Sequence, residues 1–211
     1  MDRFAWLFSG ADPFVTRLAW LALFFAAAAL VDLAIHRRRA TRWREYAAIV
    51  ALGAVGALAG MVVDAATVAI SPDYFVYGKG LVRGATLTRE AMALGARAGF
   101  ILGAIAAGLL CMANGRASEA AGDLPLVAQR RVARAGLLVL LPVLLLAPLF
   151  GAVACLLPLP APHVQWSGPP TLARRFVVVW WIHLGVYVGA LLGVVRGIVA
   201  IRRERNGKGV R

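Results

Sequence analysis

Asp64 is an acidic residue inside a long apolar run, and it is the first place in the chain where chemistry is expected. A carboxylate that faces lipid costs roughly several kcal/mol, so this side chain should face protein or a polar cavity. At about 100° per residue, the small and polar residues of the run share one helical face, within about 80° of one another. They are Gly53, Gly56, Gly60, Asp64, Thr67 and Ser71. Small residues also let another helix approach closely, so we expect this face to pack against protein.

His183 lies in a later apolar run, about 60° or less around the helix from Trp180 and Tyr187. Counting the helical rise puts Asp64 and His183 about two turns below the same membrane boundary. Arg97 falls just inside that boundary on a third run. If the three runs are neighbours, they build one polar layer. Its predicted members are Asp64, Thr67, Arg97, His183 and Tyr187.

Three interpretations of this layer are open. In the first, a water-accessible pocket binds a cation or ligand or exchanges protons between Asp64 and His183, with Arg97 balancing charge. In the second, an Asp64–Arg97 or Asp64–His183 pair only locks the packing of the helices. In the third, Asp64 and His183 serve a membrane-embedded enzyme, but no nucleophile accompanies them and a catalytic metal needs about three protein ligands. We therefore assign no catalytic residue and expect no metal and no cofactor.

The composition places these residues in a membrane. The 211 residues are 61% hydrophobic and only 16% charged, well beyond the balance of a soluble domain. A helix needs about 20 apolar residues to cross the hydrocarbon core, and five windows satisfy this requirement. They are about 14–35, 47–70, 97–114, 136–157 and 176–200. We predict an all-α membrane protein with a single transmembrane domain over 1–211, a bundle of about five helices.

The basic residues predict the orientation. With the N-terminus outside and the C-terminus inside, 15 of the 23 Lys and Arg lie on the cytoplasmic side, including the basic tail 201–211. The lipid bilayer is the expected partner, with anionic lipid headgroups at the cytoplasmic face. Nucleic acid is not expected, because the charges sit at helix ends without a recognition motif. Residues 1–12 suit an interfacial segment.

The second span ends in a helix stop and restart. Ser71 supplies a capping hydroxyl, Pro72 suits the first turn and Asp73 is an acid in that turn. The spacing predicts a short helix at the outer interface through Tyr74 and Phe75, ended by glycines, and a third helix from about residue 88.

The last span carries glycines at every fourth position, which favours close helix packing. This ridge, Gly185, Gly189, Gly193 and Gly197, could serve a homo-oligomer or a membrane partner.

The chain resembles a family of small bacterial inner-membrane proteins with the pattern H-D-Q-[VI]-T-x-x-[IC]-[SC]-P-E-Y-F and, later, R-F-x6-H-N-x-x-Y-x-G. The first part is matched by Asp64, Thr67, Ile70, Ser71, Pro72, Tyr74 and Phe75, and the second by Arg175, Phe176, His183, Tyr187 and Gly189. Val63 replaces the pattern's His, Asp73 its Glu and Leu184 its Asn. The resemblance implies a multi-pass protein of the bacterial cytoplasmic membrane with a shared polar site, and it implies no particular reaction.

Overall fold

The computed structural model describes residues 13–36, 42–115, 125–157 and 170–207. Within these ranges the chain forms helices and short connections without a strand, which confirms the all-α class. A π-helical segment, Tyr74–Gly78, follows the second helix. The described residues form five long α-helices: α1 Pro13–His36, α2 Arg42–Ile70, α3 Leu87–Asn114, α4 Pro125–Leu156 and α5 Pro170–Gly207.

Four helices in the described part of the chain are long and apolar enough to cross a membrane: Trp43–Ile70, Leu87–Asn114, Val127–Leu156 and Pro170–Asn206. The apolar part of α1, Leu23–Ile35, is shorter than these four. The class of multi-pass membrane protein follows from the four long helices, and the fifth span stays a prediction.

The last two helices extend beyond their predicted windows. Hydropathy marks only the part of a helix that suits hydrocarbon, whereas a helix continues wherever its backbone hydrogen bonds propagate. Pro125 and Pro170 stand at the first helical positions of α4 and α5, where proline fits because the missing N–H would have no helical partner.

The chain divides into two compact units, Met1–Ala47 and Ala48–Arg211. The first unit contains α1 and the start of α2, where the rings of Phe25 and Tyr46 stack with centroids 4.8 Å apart. The second unit holds every residue of the site described below. The expectations for residues 1–12 and for the end of the basic tail concern parts of the chain outside the described residues.

In the second unit, α2 and α3 pack through glycines at nearly backbone contact. A Cβ added to Gly56 would lie 2.2 Å from the carbonyl oxygen of Gly99, and one added to Gly60 would lie 2.1 Å from that of Gly95. Both distances are far below contact, so no side chain fits at these positions. The small face predicted for α2 is therefore used to bring α3 close to Asp64.

The glycine ridge of α5 packs against α4. A Cβ on Gly185 would lie 2.5 Å from the Leu146 carbonyl oxygen, and one on Gly193 would lie 2.6 Å from the Val139 Cα. This corrects the expectation that the ridge is a free surface for a homo-oligomer or another partner, because α4 of the same chain fills it. The reason is local: α4 is the next helix back along the chain and presents its own backbone at that depth.

The π-helical segment turns its aromatic rings inward. Tyr74 and Phe75 are buried in a hydrophobic cluster with Phe176 and Val179 of α5, whereas Tyr77 is exposed. The rings of Tyr74 and Phe75 thus face the protein interior and not its surface, while the place of this segment at the outer interface stays a prediction. Only burial against α5 removes their large apolar area from solvent, and the sequence does not show that α5 is adjacent.

Candidate functional site

The site begins where α2 stops at Ser71. The backbone N–H of Ser71 still donates to the Thr67 carbonyl at 3.0 Å, and the Ser71 hydroxyl oxygen lies 3.4 Å from the N–H of Tyr74. Pro72 then starts the short helical stretch 72–79, as predicted, and Gly80 ends it with φ of +72°. After this stop and restart, the Tyr74 ring lies against His183.

Asp64 and His183 form a direct contact across the second unit. Oδ1 of Asp64 lies 2.8 Å from Nε2 of His183, and the two side chains are only 8% and 12% exposed. The other ring nitrogen, Nδ1, lies 2.8 Å from the carbonyl oxygen of Val179, one turn earlier in α5. Both ring nitrogens are thus engaged, which fixes the orientation of the imidazole.

These partners determine how many protons the pair holds. A carbonyl oxygen only accepts, so Nδ1 must carry a hydrogen and donate it to Val179. Nε2 and Oδ1 then need one further proton between them, as imidazolium with carboxylate or as neutral imidazole with carboxylic acid. In either form the net charge of the Asp64–His183 pair is zero. Removing that proton would leave a negative charge on the pair and two acceptors facing each other.

Aromatic rings cover the imidazole. The Tyr74 ring stacks on His183 with centroids 4.9 Å apart and 22° between planes, and Phe75 meets it edge-on at 6.2 Å. Burial raises the pKa of the Tyr74 hydroxyl well above its ordinary value, and nearby Tyr187 and Asp64 raise that pKa further. Tyr74 therefore stays a neutral hydroxyl beside the pair.

Lys79 joins this end of the site, although the sequence analysis did not single it out. Its Nζ lies 5.4 Å from the centroid of the Tyr74 ring, on which His183 stacks. A cation over an aromatic face is attracted by the ring quadrupole. In the sequence, the indication of its role is that Lys79 ends the helical stretch that begins at Pro72.

A cavity of about 170 Å³ opens beside the Asp64–His183 pair. Asp64, Lys79, His183 and Tyr187 line its polar end, and apolar residues of α2, α3, α4 and α5 line the rest. On α3 the lining runs from Leu94 to Leu110, which is about 24 Å at the rise of a helix. The cavity is thus long and narrow, with its polar groups at one end.

Two predicted members do not join this end. The Thr67 hydroxyl bonds the Val63 carbonyl oxygen of its own helix at 2.8 Å, and Thr67 does not line the cavity. Arg97 also lies outside the lining, about 160° or more around α3 from Gly95 and Gly99. Of the two pairings of Asp64 that the sequence left open, the structure contains the one with His183. Depth along a helix does not fix the face on which a side chain lies.

Asp73, predicted as an acid in the first turn after Pro72, forms an ion pair with a residue outside that turn. It makes no side-chain capping bond in the first turn. Instead its carboxylate, almost fully buried, pairs with the guanidinium of Arg83 in the connection to α3. The ion pair ties the restart segment to the loop that follows it and lies apart from the cavity lining.

A second buried polar cluster lies at the C-terminal ends of α3 and α5, away from the Asp64–His183 pair. Arg131 of α4, only 3% exposed, donates to Asn114 Oδ1 at 3.2 Å and to Glu204 Oε2 at 3.3 Å. Arg205 donates to the carbonyl oxygen of Ala113 at 3.0 Å. These guanidinium groups donate to carbonyl and amide oxygens at the C-terminus of α3. A positive charge there also interacts favourably with the helix dipole. The cluster is a structural clamp on three helices.

No protein-family model, no curated protein and no solved structure matches this chain. The site is therefore interpreted from its own geometry. That geometry is a neutral, proton-sharing acid–imidazole pair at one end of a long apolar cavity within a helical membrane protein.

Proposed function

We propose that the protein is a small binding module of the membrane, transport-like or accessory to other proteins, that holds an apolar or amphiphilic molecule in its cavity. The polar end of that molecule would meet Asp64, His183 and Tyr187, and its apolar part would lie along α3. The observation that carries the proposal is that the Asp64–His183 pair, although largely enclosed, lines a cavity.

The shape of the cavity supports this ligand class. Binding sites for small molecules are concave and mostly apolar, with a few polar groups that fix orientation. Here the polar groups are gathered at one end, whereas Leu52, Val139 and Leu110 are among the residues that line the far part. A ligand with one polar end and a long apolar part fits that distribution.

A structural lock is the second candidate, and the hydrogen bond itself favours it. Oδ1 and Nε2 are 2.8 Å apart, and both side chains are largely enclosed. Such a pair holds α2 and α5 in one register whether or not anything binds. On this alternative the cavity is a packing gap, and changing its size leaves every binding measurement unaltered.

Photolabelling separates the two candidates. The purified full chain in lipid nanodiscs would be exposed to an alkyl diazirine, crosslinked and mapped by mass spectrometry. Ala98 lines the cavity and Ala93, on the same helix, does not, although both are exposed. Ala98→Leu narrows the cavity and Ala93→Leu is its matched control.

We expect crosslinks concentrated on cavity residues, reduced by Ala98→Leu and unchanged by Ala93→Leu. Crosslinks spread evenly over lipid-facing residues, with no difference between the two variants, would overturn the binding role and leave the structural lock. Circular dichroism of both variants checks that each retains its helix content.

The proposed location is the bacterial cytoplasmic membrane, with the N-terminus outside and the C-terminus inside. The excess of Lys and Arg on the inner side and the family resemblance support it. Cys111 and Cys155 each lie near the C-terminal end of their helix. In the proposed topology α3 runs inward and α4 runs outward, so Cys111 would lie near the inner face and Cys155 near the outer face. In intact spheroplasts, a membrane-impermeant maleimide should label Cys155, which is exposed, and should reach Cys111 only after permeabilisation. Labelling of Cys111 alone would reverse the orientation.

A further inference from the structure

We infer that the cavity selects an anionic amphiphile with a single long alkyl chain, held by its head at Lys79. This inference rests on the proposed binding role and adds the charge and shape of the ligand. It depends on the net charge of the polar end and on the length of the apolar part.

The charge at the polar end follows from its groups. Asp64 and His183 share one proton and contribute no net charge, as their hydrogen-bond partners require. Of the described residues that line the cavity, Lys79 is the one with a permanent charge. The polar end therefore carries one net positive charge, which an anionic head neutralises.

The position of Lys79 makes that charge usable. The ammonium lies over the Tyr74 ring at 5.4 Å, and that ring stacks on His183. Lys79 is exposed, so a head group approaching from the interface reaches it without crossing the apolar part. Most of the surrounding wall is apolar, and opposite charges attract more strongly in such surroundings than in water.

The apolar part sets the form of the tail. Along α3 the lining extends about 24 Å, from Leu94 to Leu110, which approaches the roughly 30 Å hydrocarbon thickness of a bilayer. Its width is limited by the close glycine contacts between α2 and α3. A volume of about 170 Å³ over that length suits one extended alkyl chain better than a branched chain or two chains.

Competition against the alkyl diazirine tests the inference. The competitors are dodecanoate kept ionised at mildly alkaline pH, dodecyl phosphate, dodecanol, dodecylammonium and acetate, with the full chain in nanodiscs. We expect both dodecyl anions to suppress cavity crosslinks at roughly tenfold lower concentration than dodecanol, which corresponds to about 1.4 kcal/mol. Dodecylammonium and acetate should compete least, because one has the wrong charge and the other has no tail.

Two variants assign the effect to Lys79. Lys79→Gln should remove the anion preference, whereas Arg89→Gln, which removes the same charge from an exposed residue outside the cavity, should keep it. Lys79→Arg should retain most of the preference. Equal competition by anion, alcohol and ammonium would overturn the inference and leave the proposed binding role standing, whereas absence of cavity crosslinks in the wild-type chain would overturn both.

Discussion

Asp64 and His183 are 119 residues apart in the chain, yet Oδ1 of Asp64 lies 2.8 Å from Nε2 of His183. The contact joins α2 to α5 at the depth where the cavity begins. Because Nδ1 is already committed to the Val179 carbonyl, this one hydrogen bond fixes both the ring orientation and the proton content of the pair.

The Asp64–His183 hydrogen bond should appear as a coupling energy. In a double-mutant cycle with Asp64→Ala and His183→Ala, we expect a coupling of about 1.5–3 kcal/mol, the range for hydrogen bonds to charged groups. The measurement is the free energy of unfolding in mixed micelles. A parallel cycle of Asp64→Ala with Arg89→Ala, an exposed residue, should give a coupling near zero. Additive losses in the first cycle would contradict the pairing.

The glycine contact between α2 and α3 should be intolerant of a methyl group. A Cβ on Gly99 would lie 2.0 Å from the Gly56 carbonyl oxygen, so Gly99→Ala must push the helices apart. We expect a loss of about 1–3 kcal/mol in the free energy of unfolding.

Gly108→Ala is the control for that variant. It lies on the same helix, and a Cβ there meets nothing within 4 Å. It should be neutral or stabilising by up to about 1 kcal/mol, because alanine favours the helix over glycine. Equal effects at both positions would show that helix propensity, and not close packing, governs the response.

Arg131 should contribute more to stability than its neighbour Arg130. Arg131→Met removes the donor to Asn114, a buried side chain, and should cost about 1–3 kcal/mol because a buried amide loses its partner. Arg130 is exposed, and Arg130→Met should change the free energy of unfolding by less than about 0.5 kcal/mol. Thermal unfolding in detergent compares the two, and similar losses would contradict the clamp.

Tyr74 should ionise late in an alkaline titration. Its pKa is raised in the folded protein, so its contribution to stability is complete below the ordinary tyrosine value of 10.0 and declines as pH rises above it. Tyrosinate absorbance should show a late phase that Tyr74→Phe removes. Tyr77→Phe changes an exposed tyrosine and should keep that phase. If Tyr77→Phe removed the late phase instead, Tyr74 would not be the tyrosine that ionises late.

The sequence alone determined the helices and the depth of the polar residues. Apolar runs and capping residues act locally, so α3 was expected from about residue 88 and is found from Leu87. Depth is a sum of equal rises along one helix, so Asp64 and His183 could be placed at one level from their distances to the ends of their runs. The restart at Ser71 and Pro72 is also local and was predicted.

Tertiary structure decided which faces and neighbours those residues have. Arg97 was assigned to the polar layer by its depth, but it does not line the cavity and lies on the side of α3 away from Gly95 and Gly99. The ridge that includes Gly193 is filled by α4. Tyr74 and Lys79 reach the polar end only because the restart segment folds back against α5. The direction of a side chain around a helix gains meaning only from the helix beside it, and that neighbour is selected by contacts between residues far apart in the chain.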